Sequence, residues 1–542
     1  MHRALRWGVV LATVVGSAGL LAPLTSASAS GTTPRFMLHI ERYPGGISNG
    51  VRAMMSSEVQ GARAQYGHLA IQTGPRISGQ PNVNVQMNGD SYPPMPQNET
   101  AVAYSLDNPM VAVAAANDYI SGGNMVMYTS DGGQTWKSTV VNPQFRGTAD
   151  FCTGGDPSVA YSLRDHAFYM GQLCFFRSLP YSEVQIYASF DNGATWTPGR
   201  QAARAATNFD YTAGTVDESI FNDKDYITVD NYPTDSHYGR LYVTYTKFHI
   251  QPDGFSDYCP IELSYADAIP SFDPSLTVFQ QSAVMPDNPG GNGKGPSADQ
   301  FSDPVVEKGG ALDIAFVNEE CNTSLDHHLL FQRSTDGGTT FLPKAVRVDG
   351  PGEFVDNPNL ADLLPNKKFR APNTESIAYS EATGTLAYVY TNYDNMATQG
   401  GNIEVKTSTD QGSTWSTGQV ISTSGGAPAP NDQFFPWIAA SPNGAFSAIW
   451  LDCRRDPNNH DIDTFQATSR SDGATWSNSR ISTVSWDPDN GFFKSGSFIG
   501  DYSGLAAADN VIYPVWTDGR NSAIAQTGIG ETDIFTNVEI KS

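Results

Sequence analysis

Positive charge is scarce in this chain. Its 542 residues include 32 lysines and arginines against 56 aspartates and glutamates, for a net charge of −24. Charge of this sign repels the phosphates of nucleic acids and the anionic headgroups of membranes. We therefore expect neither nucleic acid nor membrane as a partner. The excess of negative charge favours a monomer that self-repulsion keeps in solution.

Long hydrophobic runs are missing, apart from one near the N-terminus. Arg3 and Arg6 precede a mostly apolar stretch at 7–24, and the small residues at 27–29 form a typical cleavage site. The stretch is too short, and too often interrupted by glycine and proline, for a membrane anchor. The pattern predicts a signal peptide at 1–29 and a secreted, extracellular protein.

Cysteine is rare, and its spacing excludes a zinc site. The five cysteines are Cys152, Cys174, Cys259, Cys321 and Cys453. None forms a C-x-x-C pair or a metal-ligand spacing with histidine, and no H-E-x-x-H is present. A secreted chain permits disulfides. Cys152–Cys174 and Cys259–Cys321 are plausible pairs, which leaves Cys453 over. We predict no metal ligand among them.

The segment 30–82 has no clear period and is interpreted as an N-terminal extension. Met37, Leu38 and Ile40 favour one short strand. The sequence around Ser48 matches G-x-S-x-G, a motif that presents a nucleophile only between a strand and a helix. Its polar, Pro-Gly-Gly context instead predicts a turn.

Amphipathic helices longer than about three turns are absent, and a short turn pattern recurs instead. Its form is S-x-D-x-G-x-T-W, and the copies are Thr129–Trp136, Ser189–Trp196, Ser334–Phe341, Ser408–Trp415 and a degenerate Ser469–Trp476. The Asp and Ser side chains of such a turn bond nearby backbone N–H groups, and glycine takes a conformation that a Cβ forbids. The pattern is therefore structural, and its acids are not expected to be catalytic.

The spacing of these turns counts the repeating units. Consecutive acids are separated by 60, 145, 74 and 62 positions, so the long gap hides one unit without the pattern. VWTDGR at 515–520 repeats IWLDCR at 449–454 and marks one more unit after the last turn. The count predicts seven units. Six units with irregular additions is the alternative.

Each unit has the composition of a four-stranded antiparallel sheet. Short runs of β-branched and aromatic residues alternate with polar positions and end at Gly, Asn or Asp. Repeated sheets of this kind form an all-β propeller, predicted here over 83–542. The last unit lacks a fourth strand, and residues 83–88 are predicted to supply it and so close the ring.

Acidic residues open most of the predicted innermost strands. They are Glu99, Asp156, Asp225, Asp303, Glu375 and Asp501. Loops that precede these strands converge over the central channel, where ligands of such folds bind. The acids either cap backbone groups and hold blades together, or form an acidic mouth that binds a ligand. Such a mouth also suits a Ca²⁺ ion, although no cofactor is required.

Two features resemble the sialidase-like superfamily of propellers. The repeated turns match its Asp-box, and Tyr502-Ser503-Gly504-Leu505 resembles the Y-S-x-L stretch that carries the tyrosine nucleophile of retaining sialidases. The resemblance implies that Tyr502 is a nucleophile, with Glu375 as its base and Asp156 as acid/base.

Sialidases also bind the substrate carboxylate with three arginines, whose planar forks match it. Arg370 lies in F-R-A-P, a partial match to the family's F-R-I-P, but in the fifth unit instead of the N-terminal part. Arg454, Arg455 and Arg520 are further candidates. Arg454 and Arg520 share a W-x-D-x-R pattern, which is typical of a structural Arg–Asp pair. Trp437 is predicted to stack on a sugar or to pack in the core.

The sequence therefore supports two kinds of function. The first is a secreted hydrolase that acts on carbohydrate or glycoconjugates, an exo-glycosidase with exo-α-sialidase as one possibility. The second is a non-catalytic propeller that binds glycan or protein. A polysaccharide lyase with Tyr502 as base is a further alternative.

Overall fold

A computed structural model describes most of the chain after residue 32. The described residues are 33–43, 46–66, 76–77, 84–89, 95–146, 151–285, 298–318, 327–350, 353, 355, 357, 359, 362–393, 400–522 and 530–540. The predicted signal peptide, 1–29, lies outside these residues.

The chain forms a seven-bladed β-propeller, as its repeat count predicts. Each blade is an antiparallel sheet whose first strand is innermost. Blades 1 to 3 comprise, from the inside outwards, Gln97–Tyr104, Ala112–Asp118, Asn124–Thr129 and Thr135–Val141; Ser158–Ser162, Ala167–Phe175, Ser182–Ser189 and Ala203–Thr207; Ile220–Val229, Leu241–Ile250, Ile261–Ala266 and Gln280–Ala283. Arg76–Ile77 extends blade 1 at its outer edge, and Ser256–Tyr258 pairs with the second strand of blade 3.

The remaining blades repeat the arrangement. Blades 4 to 6 comprise Asp299–Val306, Leu312–Asn318, His328–Ser334 and Val346–Arg347; Ser376–Tyr379, Leu386–Asn392, Asn402–Ser408 and Gln419–Val420; Gln433–Ala440, Phe446–Asp452, Asp463–Ser469 and Ser477–Arg480. Outside the blades lie the hairpin strands Phe209–Asp210, Thr215–Val216, Thr423–Ser424 and Ala427–Pro428, and the 3₁₀ turns Gly199–Gln201, Pro274–Leu276 and Pro488–Asn490.

Blade 7 is built from both ends of the propeller sequence. Its inner strands are Gly504–Ala507, Val511–Asp518 and Asp533–Thr536, and Val85–Gln86 pairs with the last of these as the outermost strand. Glu539–Ile540 pairs with the beginning of the second strand. The pairing joins the start of the ring to its end, so the innermost strands of blades 1 and 7 lie side by side.

The repeated turns connect the third and fourth strands of blades 1, 2, 4, 5 and 6. In blade 5, Ser408 Oγ donates to Asp410 Oδ1 at 2.8 Å, and the backbone N–H of Gly412 donates to Ser408 Oγ at 2.9 Å. Thr414 donates to Asp410 from both its backbone N–H and its hydroxyl. The acid is thus saturated by its own turn, which agrees with a structural role.

The W-x-D-x-R pattern forms a brace within its own blade. Arg454 contacts Asp452 at 2.6 Å in blade 6, and Arg520 contacts Asp518 at 2.6 Å in blade 7. Each aspartate also accepts the indole N–H of the preceding tryptophan, Trp450 or Trp516. These arginines hold the end of the second strand.

The extension that precedes the propeller is helical. Helices α1 (Arg35–Arg42), α2 (Asn49–Met55) and α3 (Ser57–Tyr66) lie in it, so the predicted strand at Met37–Ile40 is wrong. The apolar residues there are buried with side chains of the propeller in a single cluster, for example Phe36 against Phe221 with ring centroids 4.7 Å apart. Helix α1 thus forms an apolar face that the blades bury.

The cysteines follow the prediction where the structure describes them. Cys152 and Cys174 form a disulfide that closes a loop within blade 2, and Cys453 is free and buried. Cys259 is buried, but its predicted partner Cys321 lies outside the described residues, so that pair stays a prediction. Within the described residues, no helix has the length and apolarity that crossing a membrane requires.

Candidate active site

A strained bulge recurs where the innermost strands begin. Glu99, Lys224, Phe301 and Phe435 have left-handed backbone conformations, with φ between 45° and 57°, and each lies where the pairing register shifts. Asp156, with φ of 51°, precedes the innermost strand of blade 2. A bulge of this kind redirects side chains, and left-handed non-glycine residues cluster at functional sites. The bulges make the end of the channel where these strands begin the candidate site.

Seven buried carboxyl groups, here called the acidic ring, lie within or just before the innermost strands of their blades. They are Glu99, Asp156, Asp223, Asp225, Asp303, Glu375 and Asp501, all with 6% exposure or less. Two of them connect neighbouring blades: Asp225 accepts from Ser158 Oγ at 2.8 Å, and Asp303 accepts from the backbone N–H of Ile377 at 2.9 Å. These two acids thus do hold adjacent innermost strands together.

Glu99 and Asp156 form an acid pair at the centre of the ring. Burial raises the pKa of Glu99 well above its usual value, and the charges of Asp156 and Asp501 raise it further. Burial likewise raises the pKa of Asp156 to about 7, with the charge of Asp223 adding to the shift. Two carboxyl groups this close in a buried site retain a proton at neutral pH. Asn117 steadies the pair, because its amide donates to Glu99 Oε2 at 2.5 Å.

Tyr502 lies beside this pair, in an aromatic pocket with a lysine. The Lys224 ammonium lies 4.2 Å from the ring centroid of Tyr502, and the Trp437 ring lies 6.2 Å away. Burial raises the pKa of the Tyr502 phenol well above 10, and the charges of Glu99 and Asp156 raise it further. The tyrosine is therefore protonated at rest, and a neighbouring carboxylate must take its proton before it can act as a nucleophile.

Some of the other predicted site residues join this cluster and some do not. Arg370 does, with Nη2 3.0 Å from Asp501 Oδ2. Glu375, a member of the acidic ring, immediately precedes the first strand of blade 5, and its charge, after burial, helps raise the pKa of Tyr388 instead of that of Tyr502. Arg454 is held in the brace with Asp452, and Arg455 is 55% exposed and 3.5 Å from Asp463. The structure thus brings together Tyr502, Asp156, Arg370 and Trp437.

The N-terminal extension covers the acidic ring. Residues 33–43 and 46–66, here called the lid, place the first turn of α2 against the carboxyl groups. Ser48 Oγ lies 3.0 Å from Asp156 Oδ2 and 3.0 Å from Asp223 Oδ1, and the Ser48 backbone N–H donates to Asp223 at 2.7 Å. The backbone N–H of Asn49 donates to Asp501 at 3.2 Å. Ser48 is thus the N-cap of α2, and a turn without a helix was the wrong prediction.

Sequence reasoning missed Asp223, Lys224 and the lid. Lys224 and Asp223 directly precede Asp225, but the bulge adds a residue and thereby changes which side chains face the channel. The signal that was available is the charged run Asp223–Asp225 directly before the mostly apolar residues 226–229. Nothing in the local sequence of the lid indicates what it contacts.

A second group of acids lies in the loops of blades 6 and 7. Asp456, His460 and Asp461 approach one another closely enough for a metal ion, as do His460, Asp487 and Asp489. Asp456 accepts three backbone N–H groups of its own loop, and Lys368 contacts Asp489 at 2.7 Å. These bonds already satisfy much of the cluster, so we assign it no cation.

Comparisons with known proteins identify similar solved structures only. No protein-family profile matches the sequence, and no curated protein matches it. A protein of unknown function from Dyadobacter fermentans is 12% identical, with 74% of this chain and 98% of that chain covered and a TM-score of 0.44. A Hadza microbial sialidase is 14% identical over 79% and 73% of the two chains, with a TM-score of 0.44. An α-L-arabinanase of Penicillium chrysogenum is 12% identical over 70% and 92%, with a TM-score of 0.41.

Proposed function

We propose that the protein is a secreted glycoside hydrolase whose active site is the acidic ring. The observation that carries this proposal is the buried Glu99–Asp156 pair beside Tyr502. A carboxyl group whose pKa is about 7 can exchange protons at neutral pH, which glycosidic bond cleavage requires. Membership in the sialidase-like superfamily is part of the proposal, supported by the five repeated turns and by the position of Tyr502.

The residues divide the reaction between them. Tyr502 Oη attacks the anomeric carbon and transfers its proton to the Asp156 carboxylate, while protonated Glu99 gives its proton to the departing glycosidic oxygen. Water then attacks the same carbon and gives a proton to Glu99, and Asp156 returns the first proton to Tyr502. This retaining sequence replaces Glu375 by Asp156 as the base. Arg370 and Trp437 would bind the sugar, through hydrogen bonds and by stacking.

One observation favours the alternative, a non-catalytic propeller: the lid already satisfies several of the carboxyl groups. In that reading the ring is an anchor for the N-terminal extension, and the propeller binds its partner elsewhere. The lyase alternative needs Tyr502 as a base, and the raised pKa of its phenol makes the required phenolate as costly there as in the hydrolase, so no separate observation favours it.

The test is turnover of a panel of aryl glycosides by the purified protein and by variants. We expect Glu99→Gln, Asp156→Asn and Tyr502→Phe each to lower kcat by about 10²-fold or more. Glu307→Gln is the matched control, because Glu307 is also a buried carboxyl group beside another acid, Asp313. It lies outside the acidic ring and forms an ion pair with Arg333.

The assay is run on the full chain and on a variant with an opened lid, Gly50→Glu, which is described below. Turnover that survives all three substitutions would remove the ring from the mechanism. Failure of both proteins to act on any glycoside would favour the non-catalytic alternative.

A further inference from the structure

The first turn of α2 presents hydrogen-bond donors to the acidic ring as a bound ligand would. Three donors of Ser48 and Asn49 contact Asp156, Asp223 and Asp501. Gly50 follows at the closest point: a Cβ there would lie 2.4 Å from Asp156 Oδ1 and 2.6 Å from Glu99 Oε2. The lid therefore fills the space in front of the acid pair, and only a residue without a side chain fits.

The guanidinium of Arg52 adds a positive charge behind this turn. It donates to the carbonyl oxygens of Ile40, Tyr43 and Ile47, which ties α2 to the end of α1. Burial and the charge of Arg370 lower its pKa to about 9, and the carboxylates of Asp223 and Asp501 oppose that shift. Arg52 thus gives the lid a cation that complements the ring.

The ring also contains polar atoms that the lid does not satisfy. In the part of the chain that the structure describes, Tyr502 Oη, Asp225 Oδ1 and Asp501 Oδ1 are buried without a hydrogen-bond partner. An unsatisfied buried polar atom costs free energy, and such groups in native proteins usually have a functional explanation. These atoms lie on residues 97% buried or more, next to the acid pair. A polar ligand larger than the first turn of α2 could form hydrogen bonds with these three atoms, with which the lid forms none.

We propose that residues 46–52 occupy the sugar-binding subsite as an internal competitor, and that the subsite takes an amino sugar. This inference rests on the proposed function, because it takes the acidic ring as part of the active site. Binding of a sugar to the ring can nevertheless be tested without turnover. The ligand must supply hydroxyl or amine donors where Ser48 and Asn49 now donate, and a protonated amine among these donors complements the carboxyl groups that accept them.

Charge selects against acidic sugars. Seven carboxyl groups surround the subsite, while the blades contribute the cations Lys224 and Arg370. Arg370 is paired with Asp501, and Arg454 and Arg520 are held in their braces, so these arginines are not assembled around a substrate carboxylate. A sialic acid would place its carboxylate among carboxyl groups whose pKa values burial already raises, so a further negative charge is unfavourable there. An ammonium group on the sugar instead stabilises the ionised form of these acids.

The lid does not leave the ring freely, because apolar side chains anchor it. Phe36, Met37, Ile47, Val51, Met54, Met55 and Val59 are buried in one cluster with residues of the propeller. Burying one side chain of this size contributes about 1.5–3 kcal/mol. Opening must therefore be forced in an experiment.

The test forces the turn out of the ring with Gly50→Glu. The new side chain is too large for the space and negative beside Glu99 and Asp156. Gly61→Glu is the matched control, since a Cβ at Gly61 in α3 meets no atom within 4 Å and the change in charge is the same. Ser48→Leu opens the turn in a second way, by removing the Ser48 hydroxyl and adding bulk without charge.

Hydrogen exchange of residues 46–66 reports opening, and calorimetry reports binding of a glucosamine tetramer, its neutral N-acetylated form and sialyllactose. We expect Gly50→Glu and Ser48→Leu to exchange faster and to bind the glucosamine tetramer at least tenfold more tightly than the unmodified protein and Gly61→Glu. Sialyllactose should bind to none of them.

Each other result overturns part of the inference. If neither variant opens the segment, the turn is not a displaceable competitor. If the segment opens and no sugar binds, the ring is not a sugar subsite, and preferential binding of sialyllactose would reverse the charge argument. Tighter binding without turnover would leave this inference standing and defeat the proposed hydrolase. Equal turnover by the unmodified and the opened proteins would support the proposed hydrolase and overturn the inference that the lid competes with the substrate.

Discussion

The hydroxyl of Ser48 lies 3.0 Å from a carboxylate oxygen of Asp156, a residue 108 positions later in the chain. This contact joins the lid to blade 2, and the same hydroxyl reaches Asp223 of blade 3 at the same distance. One small side chain thereby connects three parts of the molecule.

Ser48→Ala removes both of these bonds and the N-cap of α2. The single hydroxyl proton donates one hydrogen bond to a charged group, which contributes about 1.5–3 kcal/mol, and the N-cap contributes about 1 kcal/mol, so we expect the free energy of unfolding of the lid to fall by about 2–4 kcal/mol. Hydrogen exchange of residues 46–66 measures this. Ser57→Ala, at an exposed position in the same lid, is the control and should have no effect. Unchanged exchange in Ser48→Ala would contradict the importance of the contact.

Tyr502→Phe should separate function from stability. The phenol is buried without a hydrogen-bond partner among the described residues, so removing its oxygen should leave the free energy of unfolding unchanged or raise it by about 1 kcal/mol. Tyr513→Phe is the comparison, because its hydroxyl donates to the carbonyl of Pro109 at 2.7 Å and its loss should cost about 1 kcal/mol. Thermal unfolding of both variants checks this. A clear loss of stability in Tyr502→Phe would show that its hydroxyl has a structural partner.

Stability should decrease as the pH rises from 5 to 8.5. Burial raises the pKa of Asp156 to about 7 and that of Asp225 to about 8, whereas both groups ionise near 4 in the unfolded chain. Between these values the folded protein holds protons that the unfolded chain has lost, so raising the pH favours unfolding. Each such group contributes about 1.4 kcal/mol per pH unit in that window.

Thermal unfolding against pH measures this slope. Asp225→Asn should flatten it, because the amide does not titrate. The turn variant Asp336→Asn is the control, since bonds from Thr340 lower the pKa of Asp336 in spite of partial burial, so this acid does not titrate in the window. A slope that Asp225→Asn leaves unchanged would contradict the assignment.

Arg454→Ala should destabilise the protein because it leaves the Asp452 carboxylate buried without its ion-pair partner. Asp452 is fully buried, and breaking a buried ion pair from one side typically costs 3–5 kcal/mol. Arg455→Ala, at the next position, changes an arginine that is 55% exposed, and its effect should lie within 0.5 kcal/mol. Denaturant unfolding of the two variants makes the comparison. Equal effects would refute the brace.

The disulfide Cys152–Cys174 should stabilise blade 2. It closes a loop of 22 residues, for which the loss of entropy in the unfolded chain corresponds to about 3 kcal/mol. The double variant Cys152→Ala, Cys174→Ala should lose about that amount in urea unfolding. Cys453→Ala, which removes the free buried cysteine, controls for the loss of a thiol from the core. A double variant as stable as the native chain would show that the bond is not a stabilising constraint.

The sequence predicted the repeat better than the site. The hydrogen bonds of each repeated turn form between residues close together in the sequence, so the turns, and with them the blades, can be counted from one chain. Gln86 could be placed beside the last blade because that blade lacked a fourth strand. The ring was harder, because bulges at Glu99 and Lys224 change which side chains face the channel. The lid could not be predicted at all. Helix α2 has seven residues, too few to be stable alone, and forms because Val51 and Met54 are buried against the propeller.

The closing strand has a consequence for the order in which the protein folds. The amide of Asn88 donates to Asp533, which is 445 residues away, and the lid reaches Asp501 through a bond that spans 452 positions. Both contacts need the last blade, so neither can form before that blade has been synthesised. Contacts of such long range form slowly, and until Val85–Gln86 pairs with Asp533–Thr536, that strand of blade 7 presents an unpaired edge. The N-terminal extension, although synthesised before the blades, can therefore complete its contact with Asp501 only when the last blade is in place.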